Sequence, residues 1–192
     1  MRRLCAALVS AVALAGCATG GLSGLPPEQQ ATARHVEAYL DGVTGLQGRF
    51  LQTGPEAGAT SGGRFVFTPG QLRLAYDTPH VMHLVAGDGR IVMTDEVSGA
   101  VTRLSLARNP LGLFLRVPFH FNNGIQVTSV QETAGVVQLS ASQADNPSQG
   151  RLTLQFAKDG SGGLRLIGLD GVDARDHHVQ LRFYDVQPVS SG

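Results

Sequence analysis

Leu152-Thr153-Leu154-Gln155-Phe156 alternates apolar and polar residues without a break, and Val179-Gln180-Leu181-Arg182-Phe183 repeats the pattern. Successive side chains of a strand point to opposite faces, so each stretch sets three apolar residues on one side and two polar ones on the other. This predicts strands of an antiparallel sheet with one face buried and the other wet. Working backward, the same period of two runs through 164–169, 136–141 and 125–130. Nearer the N-terminus it recurs in 101–106, 91–94, 80–86, 72–76, 64–67 and 48–52. Gly87-Asp88-Gly89 is a hairpin signal, and the glycine-rich stretch 54–63 reads as a longer turn.

Only two segments break this period. Pro26-Pro27-Glu28 opens a helix, because proline suits the first turn and an acidic residue suits the positive end of the dipole. Ala31, Ala33, Val36, Ala38, Tyr39 and Leu40 give it an apolar stripe, and Gly42 closes it. Asn109-Pro110 introduces Leu111-Gly112-Leu113-Phe114-Leu115, too compact and bulky for a half-exposed strand and read as a short helix with Gly112 allowing close approach. About ten strands and two helices predict a mainly β (α+β) fold: one strongly curved antiparallel sheet whose concave face is covered by the helices.

The N-terminus carries a secretory signal: Arg2 and Arg3, an uncharged run from Cys5 to Leu14, then small residues before Cys17. The run is too short for a permanent span, which needs about 20 apolar residues. Leu14-Ala15-Gly16-Cys17 resembles the lipobox of bacterial lipoproteins, which implies lipid attachment at Cys17 after removal of residues 1–16. Gly16-Cys17-Ala18 also suits an ordinary signal peptidase, and cleavage after Ala18 would leave a soluble periplasmic protein. Residues 17–27 read as a flexible Gly/Ser/Thr/Pro tether and 28–192 as a single folded domain.

The 192-residue chain is formally neutral, with 15 basic and 15 acidic side chains. Loss of Arg2 and Arg3 with the signal leaves a net charge of about −2. No basic run of nucleic-acid type appears, so nucleic acid is not an expected partner. Cys5 would leave with the signal, so no disulfide can form within the processed chain. His80 and His83, three apart on a strand, point to opposite faces and are not expected to share a metal. His177-His178 beside Asp176 lacks a Gly-x-Ser-x-Gly elbow, and Asp170, Asp173 and Asp176 lack the calcium-loop pattern. Asp95 and Glu96 read as solvated turn residues. No catalytic residue, metal or cofactor is expected.

The ordered motifs carry a family resemblance. Ala38-Tyr39-Leu40, residues 46–52, Gly63, the stretch Thr68-Pro69-Gly70-Gln71-Leu72-Arg73-Leu74-Ala75-Tyr76 with Pro79, the 87–91 hairpin, Asn109-Pro110-Leu111 with 113–115, and Asp173 together resemble the LolA/LolB family of periplasmic lipoprotein carriers and receptors. The resemblance implies an open half-barrel that shelters the acyl chains of lipoproteins in transit to the outer membrane. It implies a non-enzymatic, monomeric protein dealing with other periplasmic lipoprotein-transport components. The expected acyl-chain lining is Phe65, Phe67, Leu72, Leu74, Tyr76 and Met93; Leu111, Phe114 and Leu115 are the expected lid. With Cys17 lipidated, the protein would face the periplasm from the inner side of the outer membrane. The alternative is a lipid-anchored binding or sensor module of the same fold with no transport role.

There are departures. Thr68 stands where LolA carries an arginine that ties the lid shut, and Leu72 and Leu74 replace an aromatic pair. The missing arginine implies a lid that opens more easily, or one latched by another group such as Arg73 or Arg103. The lipobox resembles LolB, but Tyr76-Asp77-Thr78-Pro79 is too short for LolB's protruding apolar loop.

Overall fold

The computed structural model describes residues 20–56 and 58–189; the expected signal segment and Cys17 lie outside them. Helix α1 spans Pro27–Gly42. Strands β1 (Leu46–Thr53), β2 (Thr60–Thr68), β3 (Gln71–Thr78), β4 (Met82–Gly87), β5 (Arg90–Asp95) and β6 (Val101–Ser105) follow. A 3-10 turn at Leu106–Arg108 leads into the single-turn helix α2 (Leu111–Phe114). The chain continues with β7 (Ile125–Thr133), β8 (Val136–Gln143), β9 (Gly150–Lys158), β10 (Leu164–Asp173) and β11 (His178–Pro188).

All eleven strands join one antiparallel sheet in the order β6-β5-β4-β3-β2-β1-β11-β10-β9-β8-β7. β6 and β7 do not pair, so the curved sheet stays open, as expected. Register shifts put an extra residue on β11 (184–187, opposite Gln47/Arg49), β3 (76–78, opposite Gly62/Gly63), β7 (127–129) and β10 (166–168), each a bulge. Each bulge bends its strand and increases local twist, which curls a sheet of this width. The 87–90 hairpin turns through Asp88 (φ 48°) and Gly89 (φ 75°), the left-handed pair a two-residue loop requires.

The concave face is filled unequally. α1 buries Ala33, Val36 and Leu40. Tyr39 packs edge-on against Phe156 of β9, with ring centroids 5.6 Å apart, and its hydroxyl accepts the Leu166 N–H at 3.3 Å. Burial raises the Tyr39 phenol pKa, opposed by that hydrogen bond and by Arg165. Glu37 accepts the Phe121 N–H at 2.7 Å, tying α1 to the segment before β7. Leu113 with Phe119, Phe121, Ile125, Leu139, Ala141, Leu152 and Leu154 encloses only about 10 Å³ of free space. The β7–β10 half is therefore close-packed, as an ordinary core is.

Residues 20–25, expected within the tether, lie against the β7 edge. The Gly21 N–H donates to Ile125 O at 2.7 Å, and the Val127 N–H returns to Gly21 O at 2.9 Å. Leu22 and Leu25 pack on the core. These apolar contacts and two backbone bonds explain why a segment of loop composition is ordered.

Candidate functional site

Inside the other half lies a cavity of about 320 Å³. β3 contributes Leu72, Leu74 and Tyr76; β4 Met82 and Leu84; β5 Ile91 and Met93; β6 Leu104. Curling of the sheet brings Leu169 of β10 and Val179 and Leu181 of β11 across from them, and Leu111 of α2 completes the wall. Cross-strand pairing puts these residues side by side: Leu74 opposes Leu84, Leu84 opposes Met93, and Ile91 opposes Leu104. The surface is aliphatic and thioether, with little directional chemistry, and methionine adapts readily to irregular ligands.

Polar groups border this apolar space. Tyr76 is buried, and its hydroxyl donates to Gln52 Oε1 at 2.6 Å, while Gln52 Nε2 donates to Gly54 O. Burial pushes the Tyr76 phenol far up, so it stays a neutral donor. Asn109, Asp173 and His177 also line the space. Asp173 Oδ1 accepts the N–H groups of Arg175 and His177, and Oδ2 faces His177 Nδ1 at 3.1 Å. Desolvation raises the Asp173 pKa, but these hydrogen bonds and the His177 ring outweigh it and hold the carboxyl below its ordinary value. Asp173 and Asp176 thus build the turn into β11, whereas Asp170 lies within β10 and accepts from Gln180 Nε2 at 3.3 Å on the outer face. His80 faces Asp95 and His83 faces Glu96, so the two histidines have separate partners. Among the described residues, no three His, Cys, Asp or Glu side chains converge as a metal site would require.

The structure divides the expected lining. Leu72, Leu74, Tyr76 and Met93 share the cavity; Phe65 and Phe67 do not. Phe65 packs on Phe183 at 4.5 Å between centroids, and Phe67 stacks on Phe114 at 4.6 Å. Of the expected lid, Leu111 touches the cavity, whereas Phe114 and Leu115 are buried beside it. Met82, Leu84, Ile91, Leu104, Leu169, Val179 and Leu181 complete the wall, and their one sequence signal was inward register on their strands.

No arginine latches the lid from the expected positions. Arg73 and Arg103 are exposed on the opposite face of the sheet, where Arg73 Nε donates to Gln71. They occupy the outward register because their neighbours Leu72, Leu74 and Leu104 face inward. The lid is held to the sheet by neutral contacts instead: the Phe67–Phe114 stack, the Leu106 N–H donating to Gly89 O at 3.0 Å, and Gln143 Nε2 donating to Ala107 O at 2.8 Å; within the lid Asn109 Oδ1 accepts the Leu111 N–H at 3.0 Å. Gly112 lies against the Leu106 carbonyl, where a Cβ would sit 2.5 Å from the oxygen. That fits the close approach expected at this glycine.

A family profile described as outer membrane lipoprotein carrier protein LolA matches residues 41–191. An outer-membrane lipoprotein carrier protein from Alkalilimnicola ehrlichii is 35% identical over 105 residues, 52% of this chain and 49% of that protein. The match therefore spans about half the length of this relative. Among solved structures, a putative outer membrane lipoprotein-sorting protein domain from Vibrio parahaemolyticus is 13% identical, covers 86% of this chain and 94% of its own, and superimposes with a TM-score of 0.47. The lipoprotein LppX of Mycobacterium tuberculosis is 13% identical, with coverage of 88% and 100% and a TM-score of 0.43. The profile match takes in every strand of the sheet and both the wall and the lid of the cavity, and the chain belongs to the LolA family of outer membrane lipoprotein carrier proteins.

Proposed function

We propose that this protein is a non-enzymatic carrier or receptor that takes the acyl chains of lipoproteins into the hollow half of its sheet during transport across the periplasm. The observation that supports this most strongly is an aliphatic cavity of about 320 Å³ in a sheet whose other half is close-packed. Its volume is near the lower end of small-molecule sites, about 300–1,000 Å³. Each buried methylene contributes about 0.8 kcal/mol, so about ten methylenes supply about 8 kcal/mol, the scale of micromolar binding.

Several chains require more room, and the lid contacts fit such opening. A stacked aromatic pair contributes about 0.5–1.5 kcal/mol beyond its buried area, a modest barrier compared with acyl-chain burial. Cargo would displace the 106–115 segment by breaking the Phe67–Phe114 stack and the Gln143–Ala107 and Leu106–Gly89 hydrogen bonds. Aspartate, histidine and amide groups at the rim would meet the cargo's polar head, and no cofactor takes part.

In this reading Cys17 carries lipid and sets the protein on the inner face of the outer membrane, where it exchanges cargo with other transport components as a monomer. Because residues 20–25 are pinned to β7, only about 10 Å of extended chain would separate Cys17 from the body. Acyl labelling of wild type against Cys17→Ser, with membrane fractionation, tests the anchor. For the cavity, a triacylated lipoprotein peptide should bind and the same peptide without acyl chains should not; equal binding of the two overturns the reading.

A further inference from the structure

The outer faces of the two halves of the sheet also differ. Arg64, Arg73, Arg90 and Arg103 are exposed on the convex face of β2–β6, and none forms an ion pair among the described residues. These arginines are scattered through the sequence, but register assembles them. One cross-strand row runs Val66–Arg73–Val85–Val92–Arg103, and its neighbour runs Arg49–Arg64–Ala75–His83–Thr94–Val101. Arg49 and Arg64 stand directly opposite each other, an arrangement that weakens a sheet unless something offsets it. Asp77 offsets part, pairing with Arg49 at 3.3 Å. Other nearby acids sit in turns: Glu96 faces His83, and Asp88 is at the 87–90 hairpin. By contrast, the outer side of β7–β10 presents Thr128, Gln131, Gln138, Ser140, Thr153 and Gln155 around a polar hollow with one acid, Asp170, and one base, Arg151.

We infer that the convex face of β2–β6 is a docking surface for an anionic phospholipid membrane. The four guanidinium groups stand on β2, β3, β5 and β6, a span of about 19 Å at the usual strand spacing, and match a carpet of phosphates better than a single ligand. Guanidinium groups pair well with phosphate oxygens. Val66, Val85 and Val101 are 37%, 38% and 45% exposed between them, giving short aliphatic contacts suited to a headgroup layer. A protein partner is favoured less, because protein hot spots gather around buried aromatic anchors in pockets, and the aromatic in register with these rows, Tyr184 opposite Arg49, stands exposed at their end. The inference rests on the carrier reading only in that both concern a membrane. It places the body by its charged back and leaves the cavity to the cargo.

Co-sedimentation tests it, using the processed chain with Cys17→Ser so that no anchor contributes. Vesicles of phosphatidylglycerol and phosphatidylethanolamine should bind the protein, vesicles of phosphatidylcholine alone should not, and high salt should release it. Removing three guanidinium charges in Arg64→Gln/Arg73→Gln/Arg103→Gln should weaken vesicle binding about a hundredfold, at about fivefold per charge, with triacylated-peptide binding unchanged. Leu74→Trp should do the reverse. Equal sedimentation with both vesicle types, sedimentation with neither, or unchanged vesicle binding by the triple variant overturns the inference, and sedimentation with neither makes an acidic protein the better partner. Loss of vesicle binding in Leu74→Trp also overturns it, by assigning the membrane contact to the cavity. Failure of peptide binding with intact vesicle binding would refute the carrier reading alone.

Discussion

The two halves of the concave face are written in the same alternating code and end up as different objects. In the filled half, the inward residues of β7–β9 meet Leu113 of α2, Phe119 and Phe121 around about 10 Å³ of free space, and Phe156 meets Tyr39 of α1. Beneath the single turn of α2, the inward residues of β3–β6 meet one another across about 320 Å³ of space. Alternation fixes which side chains point inward; what covers them decides whether they form a core or a pocket, α1 with Leu113, Phe119 and Phe121 on one side and Leu111 with Pro110 on the other. Sixteen residues of α1 make a rod of about 24 Å, whereas the four residues of α2 reach about 6 Å.

Large-to-small substitution is expected to separate the halves most sharply. Phe156→Ala in the filled half should cost about 3–5 kcal/mol of unfolding free energy, read by denaturant titration, because it opens a void beside Tyr39 that nothing can occupy. Its folded fraction should still bind acylated peptide. Leu74→Trp in the hollow half should give the opposite result: a stability change within about 1 kcal/mol, because free space is available, and at least a tenfold loss of acylated-peptide binding by fluorescence titration. Equal stability costs for the two would remove the distinction. A smaller effect is expected for Tyr76→Phe, which leaves Gln52 Oε1 without its donor and should cost about 1–2 kcal/mol.

The smallest expected effect is present at neutral pH and fades in acid. Asp173 has a lowered pKa in the folded chain, so its turn contributes fully above the ordinary carboxylate pKa of about 4 and loses that contribution as pH falls through the lowered value. Asp173→Asn should therefore lower thermal stability at neutral pH and converge on the wild type in acid, which flattens the acid limb. Melting curves from neutral to acid check the sign. A substitution cost that grows as pH falls would contradict it.

The comparison also marks how far the sequence could be read. Strands, hairpins, α1 and the short helix at 111 follow from period, proline placement and glycine turns, all local signals. Leu72, Leu74, Tyr76 and Met93 emerge as wall residues because they lie inward on adjacent strands. Phe65 and Phe67 share that inward register, but their ring partners, Phe183 and Phe114, come from distant elements. Leu169, Val179 and Leu181 reach the cavity through curling of the sheet, which depends on bulges that leave no apolar signature. Arg73 and Arg103, expected as latches, face away for the same parity that turns Leu72, Leu74 and Leu104 inward. Scattered arginines become one surface through strand register, invisible in a chain with no basic run. The order of residues 20–25 came from a β7 edge more than a hundred residues away.

Site-specific photo-crosslinking in cells tests the central claim most directly. A crosslinker at Leu74, in the hollow half, should capture acylated lipoproteins, whereas one at Leu154, in the filled half, should capture none. Capture at both positions alike, or at neither while the protein is folded and lipoproteins are being transported, would contradict the account.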